Sequence, residues 1–133
     1  MVDERTRQVV VVDDDDQTRR LVVGALEYAG YYVMPFSSGG ALLAHLSAER
    51  SYDLLVLDVQ MPGLSGFAVA REVRRQPHLD KMAILALTGL TDARDAVLIL
   101  EAGADAYLSK PVDISELTTL VADLLDDFAR PPS

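Results

Sequence analysis

The sequence predicts an α/β fold built on a parallel sheet. Three short runs, Val9-Val10-Val11-Val12, Leu54-Leu55-Val56-Leu57 and Met82-Ala83-Ile84-Leu85-Ala86-Leu87, are apolar without alternation. Runs of that length read as strands buried on both faces, which is the habit of parallel sheets. Between them lie segments whose apolar residues are spaced for one face of a helix. The β-α alternation repeats five times, and crossovers between parallel strands are right-handed by default.

The elements follow in order. Gln8 to Val12 is rich in β-branched residues and runs into Asp13-Asp14-Asp15-Asp16. A helix follows with Leu21, Val22, Ala25, Leu26 and Ala29 on one face; Asp16 is expected to cap it and Gly30 to end it. Tyr31 to Met34 reads as a short strand, Ser37-Ser38-Gly39-Gly40 as a turn and Ala41 to Ala48 as a short helix. The third strand runs from Leu54 to Asp58, and Pro62-Gly63-Leu64-Ser65-Gly66 is loop by composition. A helix from about Gly66 to Gln76 stops at Pro77. Met82 to Leu87 is the fourth strand and ends at Thr88-Gly89. Thr91 is expected to cap a helix that reaches Ala102 and closes at Gly103. Asp105 to Ser109 is the fifth strand and ends at Lys110-Pro111. Asp113 opens the last helix, with Glu116 spaced as in a capping box and Leu117, Leu120, Val121, Leu124 and Leu125 as its buried stripe.

Bulk properties narrow the function. The 133 residues suit a single domain, 1–133, with a core over about 8–128 and a tail or linker start at 129–133. No apolar run is long enough for a bilayer and Met1 to Gln8 does not read as a secretory signal, so a cytoplasmic location and no membrane partner are expected. The absence of cysteine excludes disulfides and thiolate zinc sites. A net charge of −9 argues against direct nucleic-acid binding, which needs a basic face.

Four of the five strand ends carry functional groups: Asp13 and Asp14, Asp58, Thr88, and Lys110. In parallel sheets, ligands sit at the carboxyl ends of the strands. Three carboxylates gathered there repel, and one is driven towards protonation unless a cation relieves it. Oxygen ligands favour a hard ion, and magnesium also binds phosphate oxygens. Carboxylates, a hydroxyl and an ammonium together suit a site that receives a phosphoryl group, with Asp58 as nucleophile.

The set Val11-Val12-Asp13-Asp14, Leu57-Asp58-Val59-Gln60-Met61-Pro62, Thr88-Gly89 and Lys110-Pro111 resembles the receiver domain of two-component response regulators, from about Val9 to Phe128. The resemblance implies a flavodoxin-like (βα)5 fold with strand order 2-1-3-4-5. It implies that Asp58 accepts phosphate from a sensor histidine kinase or phosphotransfer protein. Asp13, Asp14, Asp58 and the backbone carbonyl of Gln60 would hold Mg2+, with Mn2+ as a substitute. Lys110 would bond the phosphoryl group, with the Lys110–Pro111 peptide cis. Thr88 and Tyr107 would be the switch pair, and Gly89 would keep the acceptor reachable. The surface of the fourth helix, fifth strand and fifth helix would then change its preference for a downstream effector, a covalently linked output domain or a second copy in a phosphorylation-dependent homodimer. Ser65 and Val112 depart from the family's usual Asp and Phe. Leu90 and Gln60 occupy positions that tune phosphate loss, and apolar Leu90 implies slow autodephosphorylation.

Each residue also has an ordinary reading. Asp58 could begin a turn, Thr88 could simply favour β structure, and Tyr107 could be a half-buried aromatic. Lys110 alone would be a surface lysine. Asp15 and Asp16 read as a solvated helix start, and His45 and His78 as solvated side chains. Two other functions compete with the switch. A magnesium-dependent phosphohydrolase would need an acid/base carboxylate where Gln60 stands and room for a substrate cap. A non-phosphorylated interaction module would not need the full residue set. The expectation is a signalling protein that catalyses only its own phosphorylation and dephosphorylation.

Overall fold

The computed structural model describes residues 6–47, 50–89 and 93–129. Five strands, β1 (Gln8–Val12), β2 (Tyr32–Phe36), β3 (Leu54–Asp58), β4 (Ala83–Thr88) and β5 (Ala106–Ser109), alternate with five helices. The helices are α1 (Asp16–Tyr28), α2 (Gly39–Leu46), α3 (Gly66–Arg74), α4 (Ala93–Ala102) and α5 (Ile114–Ala129). The strands form one sheet in the order β2-β1-β3-β4-β5, and every pairing is parallel. This is the flavodoxin-like order expected above.

The apolar runs bury both faces because alternate residues serve opposite layers. Val10, Val12, Leu55, Leu57, Ile84 and Ala86 pack with Leu42, Leu46, Val69, Val73 and Ile99 of α2, α3 and α4. Val9, Val11, Leu54, Val56, Leu85 and Leu87 pack with Val22, Leu26, Leu117 and Val121 of α1 and α5. Among the described residues no helix is long and apolar enough to cross a membrane.

Several boundaries differ from the sequence reading, each for a local reason. Asp15, not Asp16, caps α1, because its carboxylate accepts from Thr18 N at 3.0 Å and Thr18 Oγ1 at 2.5 Å. β2 continues through Pro35 to Phe36, which an edge strand tolerates. α2 begins at Gly39 under a Ser38 cap, so the glycines form its first turn. A Cβ at Gly39 would lie 2.7 Å from Val69 Cγ2. α3 ends at Arg74, and Pro77–Leu79 forms a 3-10 turn. Asp113 caps α5 through Glu116 N at 3.0 Å. The expected cap Thr91, the residue Leu90, the helix end at Ala48 and the tail from Arg130 lie outside the described residues.

Candidate functional site at the carboxyl rim of the sheet

Strand pairing brings the expected residues together. Parallel register sets Val12 beside Leu57, Asp58 beside Leu87, and Thr88 beside Ser109. The residues that follow therefore emerge on one rim. Lys110 N donates to Thr88 O at 2.7 Å, which fixes the start of the lysine loop against β4. The Lys110–Pro111 peptide is cis. Lys110 Nζ lies 3.2 Å from Asp13 Oδ2 and 3.1 Å from Asp58 Oδ1.

The acids are unequally buried. Asp13 and Asp58 are 0% and 1% exposed, whereas Asp14 is exposed. Asp15 N donates to Asp13 Oδ1 at 2.9 Å, and Gln60 N donates to Asp58 Oδ1 at 3.2 Å. Thr18 holds the Asp15 carboxyl below its ordinary pKa by side-chain and backbone hydrogen bonds. Burial is the main reason that Asp58 is pushed up to about 7; the charge of Asp13 and a contact with Asp14 add to it, and Lys110 opposes it. Carboxylate crowding thus pushes in the direction expected from the sequence, with burial the larger cause. Burial disfavours charge on Lys110, but Asp58 and Asp13 outweigh it and raise its pKa.

Thr88, 2% exposed, closes the end of β4, while Tyr107 on β5 is 43% exposed. A Cβ at Gly89 would meet Gln60 Oε1 at 3.0 Å, so the Gln60 side chain reaches over the β4 end.

The cluster fits a hard cation. Asp13, Asp14 and Asp58 each offer an oxygen, and the three lie within 4.8 Å of one another. Among the described residues, Asp58 Oδ2 and Asp13 Oδ2 are buried without a hydrogen-bond partner, and Lys110 Nζ approaches Asp13 Oδ2. Buried, unsatisfied carboxylate oxygens are costly, and an oxygen-loving ion relieves them.

Three features were not legible in the sequence. A Cβ at Gly66 would sit 2.5 Å from Asp58 O and 2.6 Å from Val59 Cα. Only glycine lets α3 start directly against the end of β3. Arg19 Nη1 donates to the backbone carbonyl of Asp13 at 2.9 Å, across the β1–α1 loop. The four aspartates before it give no local hint of that contact. His45 is not simply solvated: its ring is half-buried against Phe36 and bonds Tyr52 Oη at 2.7 Å and Arg50 at 2.9 Å. Exposed His78 bonds Leu46 O at 2.9 Å.

Comparison with known proteins agrees with this architecture. The family model described as the response regulator receiver domain matches residues 9–122. The aerobic respiration control protein ArcA of Escherichia coli K12 is 34% identical over 91% of this chain and 49% of its own length. The chain thus spans about half of that relative. A putative response regulator structure from Chloroflexus aurantiacus has a TM-score of 0.86 at 33% identity, covering 92% of this chain and 99% of its own. Chemotaxis protein CheY4 of Vibrio cholerae has a TM-score of 0.83 at 30% identity, covering 90% of this chain and 98% of its own. The match across nearly the whole fold and the acidic rim that fold assembles lead to one conclusion: the chain belongs to the response regulator receiver family of two-component systems.

Proposed function

We propose that the chain is a phosphoacceptor switch. Asp58 takes a phosphoryl group from a sensor histidine kinase or a phosphotransfer protein, and the surface of α4, β5 and α5 then changes what it binds. One observation carries the reading: Asp58 is buried, has an oxygen without a hydrogen-bond partner among the described residues, and is crowded by Asp13 and Lys110.

In the transfer an Asp58 carboxylate oxygen forms a bond to phosphorus as the donor's phosphorus–nitrogen bond breaks. The leaving imidazole keeps that electron pair and gains a proton from solvent. Lys110 supplies fixed positive charge to the phosphoryl oxygens. Asp13, Asp14, Asp58 and the Gln60 carbonyl would hold Mg2+, with Mn2+ able to substitute. Its chemistry there is neutralisation of the carboxylates and of the phosphoryl group.

Thr88 supplies a hydroxyl to the phosphoryl group, and the exposed ring of Tyr107 turns inward. Gly89 leaves the approach open. Phosphate thereby stabilises one of two conformations, a population shift with a defined energetic source. The reader of that state is a downstream effector, a linked output domain or a second copy. In this reading 1–133 is one receiver domain, its only chemistry is gaining and losing its own phosphoryl group, and it acts in the cytoplasm.

Incubation with acetyl phosphate and Mg2+, followed by intact-mass measurement, tests the proposal. Wild-type should gain one phosphoryl group and Asp58→Asn none. Equal labelling of the variant would refute the assignment. Sustained product release from a simple phosphomonoester would favour a hydrolase instead.

A further inference from the structure

Arg19, like Lys110, brings a positive charge to the acidic rim, but it does so differently. Its guanidinium does not reach the crowded carboxylates through an ion pair to Asp13. It donates to the Asp13 backbone carbonyl at 2.9 Å, while its other arm bonds Asp16 Oδ1 at 2.5 Å. The Arg19 side chain is 18% exposed, so the contact is shielded.

That bond completes the fastening of Asp13. The amide of Asp13 donates to Phe36 O at 3.1 Å, its Oδ1 accepts from Asp15 N at 2.9 Å, and Lys110 approaches its Oδ2 at 3.2 Å. The Asp13 carbonyl belongs to the peptide group joining Asp13 to Asp14. A peptide group is planar, so fixing its oxygen fixes the plane. That plane sets the direction in which the Asp14 chain leaves β1. Asp14 is exposed, and the aim of its carboxylate rests on the backbone beneath it.

We infer that Arg19 is a positioning residue for cation binding: by holding the Asp13–Asp14 peptide plane, it aims Asp14 at the pocket shared with Asp13 and Asp58. The inference rests on the phosphoacceptor reading of that pocket. Partners that orient metal ligands commonly change affinity by about 10- to 100-fold when removed.

The sign of the effect separates positioning from plain electrostatics. Arg19 is a cation near a cation site. If it acted only through its charge, Arg19→Ala would tighten Mg2+ binding and Arg19→Lys would leave it unchanged. Positioning gives the opposite result for the first and a different result for the second, since an ammonium lacks the fork that spans Asp13 O and Asp16.

The test is calorimetric titration of the full chain with Mg2+ alone, for wild-type, Arg19→Ala, Arg19→Lys and Asp16→Asn. The Asp15 amide resonance is followed in parallel, and thermal unfolding in EDTA identifies any variant that fails to fold. The expected result is about tenfold weaker binding for both Arg19 variants, a shifted Asp15 amide, and Asp16→Asn within about twofold of wild-type. Unchanged or tighter binding in folded Arg19→Lys would overturn the inference while leaving the phosphoacceptor reading intact. Should Arg19→Ala fail to fold, Arg19→Lys decides alone. Failure of wild-type itself to bind Mg2+ would overturn the reading of the pocket, and the inference with it.

Discussion

Replacing Asp58 with asparagine should stabilise the cation-free protein, although it removes the proposed phosphoacceptor. The carboxyl is 1% exposed and its pKa rises from 3.8 to about 7, chiefly through burial. A folded-state value above the unfolded one means that the native state holds more protons between the two. The stability given by the protonated carboxyl is therefore present below 3.8, falls as pH rises through that window, and is gone above about 7. About three units at roughly 1.4 kcal/mol each set a ceiling near 4 kcal/mol. Lys110, at 3.1 Å, is already contained in that shift; an asparagine amide recovers only part of the hydrogen bonding of a neutral carboxyl, and this offsets some of the gain. A net gain on the order of 2 kcal/mol remains. Urea unfolding in EDTA at about pH 5 and about pH 8.5 reads the effect directly. Asp58→Asn should exceed wild-type by about 2 kcal/mol at the higher pH and by much less at the lower. Added Mg2+ should stabilise wild-type more than the variant. A variant no more stable than wild-type at the higher pH, without cation, would refute the picture of a buried carboxylate only partly compensated by Lys110.

Three further outcomes are expected. Arg74 bonds Gly103 O at 2.9 Å, Met82 O at 2.7 Å and Asp105 Oδ2 at 2.8 Å, so Arg74→Ala should lose about 2–4 kcal/mol in urea unfolding; a loss below about 0.5 kcal/mol would show those bonds to be replaceable by water. Gly66→Ala forces a Cβ to 2.5 Å from Asp58 O, and should both destabilise the fold and weaken Mg2+ binding, measured by unfolding and calorimetry; a variant indistinguishable from wild-type would mean that α3 shifts freely. Burial and Arg50 lower the pKa of His45, so its neutral form supports the fold; that support is present above the ordinary value of 6.5 and lost as pH falls below it. His45→Gln should flatten this part of the stability–pH curve, and an unchanged slope would assign it to other groups.

The centre of the sheet was legible in the sequence because β1, β3 and β4 are buried on both faces and so lack polar interruption. The rim was legible because each functional side chain stands at or just past the end of a strand, and a parallel sheet delivers all those ends to one side. Single-residue boundaries were less so. Four consecutive aspartates present nearly equivalent caps, and only the reach of Asp15 to Thr18 separates them. Pro35 hides the length of β2 because the sequence does not mark that strand as an edge. Arg74 and Arg19 escape pattern reading because their acceptors are backbone carbonyls, which carry no sequence signature. Gly103 illustrates the same limit: it ends α4 as expected, at a φ of 124°, but its hydrogen atom also makes room for Arg74, since a Cβ would lie 2.6 Å from Arg74 Cγ.

The most direct measurement concerns where phosphorus goes. Wild-type protein treated with acetyl phosphate and Mg2+ can be reduced with borohydride, which converts an aspartyl phosphate to homoserine, and then mapped by peptide mass spectrometry. Homoserine at position 58 alone, dependent on Mg2+ and abolished by EDTA, is the expected result. Modification at Asp13 or Asp14 instead, or at Asp58 with equal yield in EDTA, would contradict a rim in which cation and lysine prepare one buried carboxylate for phosphorylation.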